Sequence, residues 1–312
     1  MKKTILLTGA YGFVGSNLAN YLKSEYTIWA LDIKEFKVGL YDKYFSWTDF
    51  SSIPFDEIDT VIHLAGKAHD TKGKSQANEY FEINTGLTQK IYDRFLSSQA
   101  KRFIFFSSVK AAADSVEEGF LTEEIIPNPK GAYGESKIKA EDYILSQNSG
   151  NKKYYILRPC MIHGPGNKGN LNLLYTFIQK GIPYPLGAFD NKRSFTSIDN
   201  LSYIIEKIVS LDIDKGIYNI ADDVPLSTNE LIRIICKGVN QKPKIWKFPV
   251  PLVTWGAKVG DLLHLPLNTF RLNKLTENYL VSNEKIKRAI GVDTLPVSSA
   301  DGLEKTIKSF NE

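Results

Sequence analysis

The chain has 312 residues, 43% of them hydrophobic, with 39 lysines and arginines against 35 aspartates and glutamates. A chain of this length and composition can bury a large core, so we expect it to be globular. The formal net charge is +4, and the basic residues look spread along the chain rather than gathered in a run, which argues against a nucleic-acid partner. The two cysteines, Cys160 and Cys236, are too few for a disulfide framework and predict a reducing compartment, with the cytoplasm expected.

Membrane-directed segments are not expected. The N-terminal run "TILLTGAYGFVG" is too short and too rich in glycine for a signal peptide. A transmembrane helix needs about 20 consecutive apolar residues, and the best candidate, "VPLVTWGAKVGDLLHLPL" from Val250, is interrupted by Lys258, Asp261 and His264. We expect a helix packed on the core there, with peripheral contact with a membrane surface as the alternative.

The first half of the chain alternates short apolar, β-rich runs with longer helical patterns, which is typical of β-α-β units. Strands are predicted at 4–9, 27–33, 60–66, 102–108 and 154–160. Apolar residues at helical spacing predict helices over 79–97 and 133–146. We therefore predict an α/β fold with a Rossmann-type, doubly wound parallel sheet and a ligand crevice where the strands end.

The second half has shorter elements. "GIYNIAD" predicts a strand, and "STNELIRIICKGV" begins with a capping box formed by Ser227 and Glu230. We predict a smaller, mixed C-terminal lobe that binds the substrate. The approximate division is a first domain at 1–165 and the lobe at 166–312, with some interleaving of the chain.

A glycine-rich turn follows the first predicted strand. In "TGAYGFVG", Gly9, Gly12 and Gly15 would tighten the turn, let backbone N–H groups approach a pyrophosphate and let the next helix pack on the sheet. Asp32 ends the second predicted strand, where a carboxylate would bind an adenosine ribose and repel a 2′-phosphate. This favours NAD over NADP, although Asp32 could instead cap the strand and Lys34 could soften the discrimination.

The stretch "AYGESKIKAE" places Tyr133 and Lys137 four residues apart, on one face of a predicted helix. A tyrosine can move a proton beside a nicotinamide only if its pKa falls from about 10 toward neutrality, and Lys137 together with an oxidised nicotinamide would favour the phenolate. Ser108 would hold the reacting oxygen near Tyr133, with Ser107 as the alternative because adjacent serines in a strand point to opposite faces. The charged residues around the pair, Glu135, Lys139 and Glu141, are expected to form a solvated helix face.

Six motifs occur here in one order: the glycine turn, "HLAG", the serine pair, "YGESK", "RPCMIHGPG" and "RSFTSIDNL". In this set the chain resembles the extended short-chain dehydrogenase/reductase superfamily, in its NAD-dependent nucleotide-sugar epimerase/dehydratase branch. The resemblance implies that Tyr133 is the acid and base, that Lys137 activates it and binds the cofactor ribose, and that Ser108 orients the sugar. It also suggests a homodimer built from helices of the first domain.

The same resemblance implies a wider cofactor site. Asp49 would contact adenine, Asn84 would support the site, and Pro159 would cover the nicotinamide. Leu64, Ala65 and Gly66 would line the cofactor, with simple strand termination as the alternative. The full predicted NAD-binding set is Gly9, Gly12, Phe13, Val14, Gly15, Asp32, Asp49, Leu64, Ala65, Gly66, Asn84, Tyr133, Lys137 and Pro159.

On the substrate side, a nucleotide diphosphate requires cationic donors, which arginine supplies best. Arg193 lies where family members hold the diphosphate, and Arg271 lies near a second such position. Lys110 could reach the sugar or a phosphate. Each of the three could instead be an ordinary surface residue.

The residues directly after Ser108 narrow the reaction type. A dehydratase of this family has acidic residues there, whereas this chain has Val109 and Lys110. We therefore expect 4-epimerisation of a UDP-sugar, with reduction of a UDP-4-keto-6-deoxy-N-acetylhexosamine as the alternative and a non-catalytic dinucleotide-binding sensor as a less favoured one. No metal site is expected, because the histidines lack ligand spacing: His63, His69, His163 and His264.

Overall fold

The structure is a computed structural model that describes residues 2–33, 39–67, 76–116, 119–167, 169–263 and 268–310. The strands are β1 (Thr4–Thr8), β2 (Thr27–Asp32), β3 (Lys43–Ser46), β4 (Thr60–His63), β5 (Arg102–Phe106), β6 (Lys153–Pro159), β7 (Met161–His163), β8 (Lys192–Arg193), β9 (Phe195–Ser197), β10 (Gly216–Ile220) and β11 (Leu226–Ser227). The helices are α1 (Phe13–Leu22), α2 (Ala77–Tyr80), α3 (Leu87–Leu96), α4 (Val109–Ala112), α5 (Ala132–Ser146), α6 (Asn170–Gln179), α7 (Ile198–Ser210), α8 (Thr228–Gly238), α9 (Val250–Leu262), α10 (Thr269–Thr276), α11 (Glu284–Ile290) and α12 (Ser299–Lys308). A π-helical turn, Phe81–Gly86, joins α2 to α3, and two 3₁₀ helices lie at Trp47–Ser52 and Phe55–Glu57.

Seven strands form the central sheet, in the order β10, β6, β5, β4, β1, β2, β3, and all of the pairs are parallel. In the middle of the sheet, Leu6 of β1 lies between Val61 of β4 and Trp29 of β2. The inner strands are apolar on both faces because helices cover both sides of a parallel sheet. The strand order reverses between β1 and β4, which places the ligand crevice of a doubly wound fold at their carboxyl ends. The predicted fold class is confirmed.

Each face of the sheet has its own core. On one face, Leu18 of α1 and Ile204 of α7 pack with Leu7 of β1. On the other face, Phe95 of α3 and Ile144 of α5 pack with the opposite sides of the strands. Buried apolar side chains therefore hold the helices against the sheet, and the crevice lies at the carboxyl edge of this packed unit.

The segment after residue 166 does not form a wholly separate body. Strand β10, which covers the first five residues of the predicted "GIYNIAD" strand, pairs with β6 at the edge of the central sheet, and α7 belongs to one of its cores. A third core, separate from the two that cover the sheet, contains Leu231 of α8 and Leu303 of α12 and lies in the remainder of this segment. The division at 165 stays a prediction, and the interleaving that it allowed for is visible in these contacts.

The candidate membrane segment from Val250 forms α9, which is only partly packed. Ala257 and Gly260 are buried, whereas Trp255 is 65% exposed and Leu262 is 78% exposed. In the part of the chain that the structure describes, no helix is long and apolar enough to cross a bilayer. The expected packing on the core therefore involves one face of α9, and the other face lies at the surface.

Candidate active site

The glycine turn lies at the switch point between β1 and β4. Gly9 has a φ of +64°, and a Cβ atom there would lie 2.8 Å from the backbone nitrogen of Ala65, in the loop after β4. A Cβ on Gly15 would lie 2.4 Å from the carbonyl oxygen of Ala10. Both positions therefore exclude a side chain, the first also by its left-handed backbone. The turn lets α1 begin close to the ends of the two strands.

The N-terminus of α1 faces this crevice with backbone donors to offer. The helix begins at Phe13 after Gly12, which has no side chain to cap it, and the first turn contains no acidic residue. Backbone N–H groups at a helix N-terminus carry a partial positive charge and bind anions. Phe13 also borders the loop after β7, since its ring lies 3.4 Å from the position of a Cβ on Gly164. Val14 follows in the same turn and is partly buried.

Asp32 lies at the end of β2, beside the glycine turn. The backbone N–H of Tyr11 donates to its Oδ2 at 2.9 Å, and the N–H of Ile33 donates to its Oδ1 at 2.7 Å. Two backbone donors therefore hold the carboxylate in place, which is compatible with a capping role and with a ribose-binding role. Lys34 lies outside the described residues. Asp49 lies farther along this edge, exposed in the 3₁₀ helix after β3.

The loop Leu64–Ala65–Gly66 follows β4 and contacts both the end of β1 and α5, the helix that carries Tyr133. The N–H of Ala65 donates to Thr8 Oγ1 at 3.0 Å, which fixes the loop to the end of β1. A Cβ on Gly66 would lie 2.9 Å from Asn84 Oδ1 and 3.2 Å from Lys137 Nζ. The loop therefore contacts both predicted halves of the site, and a side chain at its last position would displace Asn84 or Lys137.

The two serines after β5 point in opposite directions, as the strand geometry predicts. The Ser108 side chain lies near the Tyr133 phenol and acts to lower its pKa, and the Ser108 Oγ accepts from the N–H of Lys110 at the start of α4. The Ser107 hydroxyl donates instead to Glu141 in the buried interior. The geometry thus brings Ser108, and not Ser107, to the predicted tyrosine.

Tyr133 lies in the first turn of α5 and is partly exposed. Burial of the phenol raises its pKa above the ordinary value of 10.0, the Ser108 side chain lowers it, and the neighbouring Tyr80 raises it further. The ring of Tyr80 lies edge-on to that of Tyr133, with the centroids 6.3 Å apart. Lys137 is not among the groups that shift this pKa, so the expected lowering by Lys137 is not seen.

Lys137 is buried one helical turn after Tyr133. Its ammonium donates to the carbonyl oxygen of Phe106 at 2.7 Å and lies 4.9 Å from the ring centroid of Phe105. Burial lowers the lysine pKa from 10.5 to about 8, while Glu141 raises it. The ammonium therefore lies under the end of β5, next to the serines, on the side of the helix that faces the sheet.

Asn84 lies in the π-helical turn and is fully buried. Its Oδ1 accepts from the N–H of Lys67 at 2.7 Å, and its Nδ2 donates to the Ser136 hydroxyl at 3.0 Å. Thr85 donates to the carbonyl of Ser136 at 2.8 Å. π-helical turns often occur at functional sites because they redirect side chains. Here the turn fixes α5 between Tyr133 and Lys137.

A chain of ion pairs connects the predicted substrate residues. Lys110 Nζ lies 3.1 Å from Asp114, and Lys274 Nζ lies 2.7 Å from the other oxygen of the same carboxylate. Lys274 is also 3.5 Å from Glu277, which lies 3.9 Å from Arg193. Arg193 additionally donates to the carbonyl of Lys274. The structure therefore links Lys110 and Arg193 through α10, between the serine loop and the lobe.

Arg271 lies in the first turn of α10 and is exposed. Its backbone N–H donates to the capping side chain of Asn268 at 2.9 Å. It is therefore on the same short helix as Lys274. Pro159, the last predicted cofactor residue, is buried at the end of β6 and pairs with Ile220 of β10.

Comparison with known proteins identifies the family. Residues 5–221 match the family described as the NAD dependent epimerase/dehydratase family, which is more than half of the chain. The chain belongs to this family. The resemblance seen in the sequence motifs is thereby confirmed, and with it the prediction of an NAD-dependent enzyme.

Relatives of this family member extend over nearly its whole length. A UDP-glucose 4-epimerase from Vibrio cholerae is 32% identical across 99% of this chain and 96% of that protein. An N-acetyl-α-D-glucosaminyl-diphospho-ditrans,octacis-undecaprenol 4-epimerase from Escherichia coli O157:H7 is 26% identical across 92% of this chain and 86% of that protein. The solved UDP-glucuronic acid 4-epimerase from Bacillus cereus, in complex with NAD, has a TM-score of 0.75 and 20% identity, and the match covers 99% and 98% of the two chains. The last comparison shows a shared fold.

One feature of this epimerase/dehydratase family member was predicted wrongly. Glu141 does not belong to a solvated helix face, because it is fully buried against Arg158. Arg158 Nε lies 3.0 Å from Glu141 Oε1 and 3.1 Å from Oε2. The signal in the sequence is the spacing of four residues between Lys137 and Glu141, which puts the carboxylate on the buried side of α5. Glu135 and Lys139 are not buried in this way.

The histidines and cysteines in the described ranges have structural partners. His63 is buried between Thr8 Oγ1 at 2.7 Å and Thr88 Oγ1 at 3.1 Å, and burial, followed by Lys137, lowers its pKa to about 3. His163 is buried beside Thr306. Burial raises the pKa of the Cys160 thiol, which opposes a role as a nucleophile. Across the described ranges no cluster of three or more His, Cys, Asp or Glu side chains could hold a metal ion, and His69 and His264 lie outside those ranges.

We predict that Lys137 makes the stability of this enzyme depend on pH. Its pKa is about 8 in the folded chain and 10.5 in the unfolded one, so between these values the unfolded chain binds more protons. The free energy of unfolding should therefore rise with pH in this window, by at most about 1.4 kcal/mol per pH unit. Urea unfolding of the wild type and of Lys137→Met, compared from pH 7 to about 10, isolates this contribution as the difference between the two proteins.

The matched control is Lys139→Met, at a less buried position on the same helix. The difference between the wild type and this control should stay nearly constant with pH. A constant difference between the wild type and Lys137→Met over the same range would show that the buried ammonium has an ordinary titration.

Proposed function

We propose that the protein is an NAD-dependent 4-epimerase of a UDP-sugar, of the UDP-glucose or UDP-N-acetylglucosamine type. The observation that carries the proposal is the placement of the Ser108 side chain beside the Tyr133 phenol, with Lys137 buried one turn farther along α5. This arrangement lies at the carboxyl edge of the sheet, next to a glycine turn that fits a dinucleotide. The UDP-glucose 4-epimerase from Vibrio cholerae, 32% identical over nearly the full length, supports the choice of substrate class.

The residues at the switch point fit NAD. Gly9 and Gly15 leave the backbone open to close approach, and the amides at the start of α1 would bind the pyrophosphate. Asp32 would accept hydrogen bonds from the adenosine ribose, and Asp49 would lie near the adenine. Bound NAD would supply the hydride acceptor, and its reduced form the hydride donor, for C4 of the sugar. The loop Leu64–Ala65–Gly66, Asn84 and Pro159 would border the nicotinamide half.

The chain's own part in the reaction is to move one proton. Tyr133 would accept the proton of the C4 hydroxyl as the hydride leaves and would donate it back after the sugar has turned. Ser108 would hold the C4 oxygen beside the phenol. Burial raises the pKa of Tyr133, so the phenolate requires nearby positive charge, which Lys137 and the oxidised nicotinamide would supply.

Substrate binding is proposed for the cations on the lobe side. Arg193 and Arg271 would bind the diphosphate, and Lys110 would contact the sugar or a phosphate. Arg193 Nε is buried without a hydrogen-bond partner among the described residues, which leaves a donor for an incoming anion. We further propose that the enzyme works in the cytoplasm and forms a homodimer through helices of its first domain.

The experiment that tests this function separates epimerisation from reduction. Purified protein is incubated with UDP-glucose, UDP-N-acetylglucosamine and a UDP-4-keto-6-deoxy sugar, with and without NADH, and the absorbance of the reduced cofactor is followed. The proposal expects a C4 epimer without net consumption of cofactor. Stoichiometric oxidation of NADH with the keto sugar would favour the reductase, and binding of NAD without conversion of any substrate would favour the sensor. Because one relative is named for a diphospho-undecaprenol substrate, a lipid-linked sugar is included in the panel.

Cofactor preference gives a second prediction. Because the carboxylate of Asp32 is fixed by two backbone donors at the end of β2, a 2′-phosphate would meet a negative charge there. We expect NAD to bind at least about tenfold more tightly than NADP, measured by calorimetry. In Asp32→Asn the charge is lost, so the difference in affinity between NAD and NADP should become smaller. Tighter binding of NADP to the wild type would contradict the assignment of Asp32.

A further inference from the structure

One region of the surface combines exposed apolar side chains with positive charge. Among the described residues, nine of the 20 exposed large hydrophobic side chains lie between 246 and 275, in α9, α10 and the strand-like segment before them. This concentration far exceeds that of the rest of the chain. We call these side chains the apolar face: Trp246, Phe248, Val250, Leu252, Trp255, Leu262, Leu263, Phe270 and Leu275.

The apolar face is not the packed side of α9. Leu252, Trp255 and Leu262 follow one another at helical spacing on one side of the helix and are 56%, 65% and 78% exposed. The other side, which includes Ala257, packs with Leu272 of α10 in a small core. The helix therefore already buries one apolar face and presents a second one that no part of the described chain covers.

Positive charge gathers in the same region, contrary to the even spread expected from composition. Residues 239–276 contain six basic residues and one acidic residue, a net charge of +5, which leaves −1 for the remainder of a chain whose total is +4. Five of the six cations are exposed, whereas Lys274 is partly buried and paired with Asp114 and Glu277, so the surface charge comes from the other five. The six are Lys242, Lys244, Lys247, Lys258, Arg271 and Lys274.

The exposed apolar side chains and the positive charge together indicate what kind of partner this face would bind. Exposed tryptophan and leucine on one side of a helix with lysine at its edge are the features of a helix that lies in a membrane interface. Lysine and arginine near the surface add attraction to anionic lipid headgroups. A second copy of the chain would bring the same excess positive charge against itself, which opposes self-association through this face. We propose that the apolar face docks the enzyme on an anionic lipid surface.

The test is flotation of the full-length protein with lipid vesicles. The wild type should bind vesicles that contain about 30% phosphatidylglycerol and should bind pure phosphatidylcholine vesicles much less. Because two of the four tryptophans, Trp246 and Trp255, belong to the face, binding should also shift the tryptophan emission to shorter wavelength. Absence of binding to the anionic vesicles at low salt would overturn the proposal.

Two substitutions separate apolar docking from simple charge attraction. Trp255→Asp and Leu262→Asp should each weaken partitioning by about tenfold or more, with conversion of a soluble substrate unchanged. The matched control is Leu173→Asp in α6, at a position that is also 69% exposed, and it should bind like the wild type. Equal binding by the wild type and the three variants would overturn the proposal. So would a dimer, detected by sedimentation velocity, that is lost in Trp255→Asp and that vesicles dissociate.

Charge reversal tests the headgroup contribution. Each lysine near an anionic surface contributes roughly a fivefold gain in partitioning, so Lys258→Glu should weaken binding by more than that factor. Lys308→Glu in α12, also exposed, is the control and should have little effect. Identical losses in the two variants would show a general charge effect and would contradict docking through this face.

Discussion

Replacement of Tyr133 by phenylalanine is expected to lower kcat by about 10²- to 10⁴-fold, which is the usual contribution of a positioned acid or base. The phenol hydroxyl is the only polar group that the change removes. Tyr133 lies where its hydroxyl meets Ser108, and hydride transfer at C4 requires that the C4 hydroxyl lose its proton at the same time. Steady-state assays of C4 inversion measure the loss. NAD affinity should change by less than about threefold, because the phenyl ring stays in place.

The matched control is Tyr143→Phe on the same helix. That phenol lies at the surface, where it donates to Asp93. The control should keep kcat close to the wild-type value. Retention of more than about a tenth of the activity in Tyr133→Phe would contradict its role as the acid and base. Loss of activity in both variants would point to a general disturbance of α5.

Replacement of Glu141 by glutamine should lower the free energy of unfolding by about 3–5 kcal/mol, the usual effect of removing one partner of a buried ion pair. Glu141 and Arg158 have side chains that are 0% and 1% exposed. In the variant the Arg158 guanidinium stays buried without a compensating charge. Its Nη1 already has no hydrogen-bond partner among the described residues, which makes relief by another group more difficult. Urea unfolding at neutral pH measures the change.

Two further variants test whether the loss of stability comes from breaking the buried ion pair. Glu304→Gln removes the same charge from the surface pair with Lys237 and should change stability by less than about 1 kcal/mol. The double change Glu141→Leu and Arg158→Met removes both charges and should recover much of the loss, since apolar replacement of a buried pair is often tolerated. Equal stability of Glu141→Gln and the wild type would show that the pair does not support the fold.

Replacement of Glu141 by glutamine should also change the active site, through its effect on Lys137. Glu141 raises the pKa of Lys137, in opposition to burial, so its neutralisation should lower that pKa further below about 8. Fewer lysines would then be protonated near neutral pH, and less positive charge would favour the Tyr133 phenolate. We expect the pH dependence of kcat to shift in Glu141→Gln, an effect that loss of stability alone would not produce.

Local patterns were sufficient for the framework of this protein. The alternation of apolar strands and helices predicts the parallel sheet, because each unit must bury its own apolar face. The glycine turn and the spacing of Tyr133 and Lys137 were visible because turns and helix faces depend on near neighbours in sequence. The alternation of side chains along the extended backbone directly after β5 likewise separates Ser107 from Ser108.

Features that depend on tertiary partners were not predictable in this way. A charged residue on a helix is normally solvated, so the four-residue spacing from Lys137 becomes informative about Glu141 only once Lys137 is known to be buried and Arg158 is placed beside Glu141 by β6. The π-helical turn Phe81–Gly86 lies within what the sequence predicts as one continuous helix, since one inserted residue barely changes the apolar spacing. The charge cluster of residues 239–276 was missed because composition was averaged over the whole chain.

In the proposed reaction a hydride leaves C4 of a UDP-sugar and returns to the same carbon, with the protons handled by Tyr133. The most direct measurement uses UDP-N-acetylglucosamine and UDP-glucose that carry deuterium at C4, with the product followed by NMR in ordinary water. We predict inversion at C4 with the deuterium retained and without added cofactor being consumed. Loss of the label to solvent, or product only in step with oxidation of NADH, would contradict the epimerase mechanism.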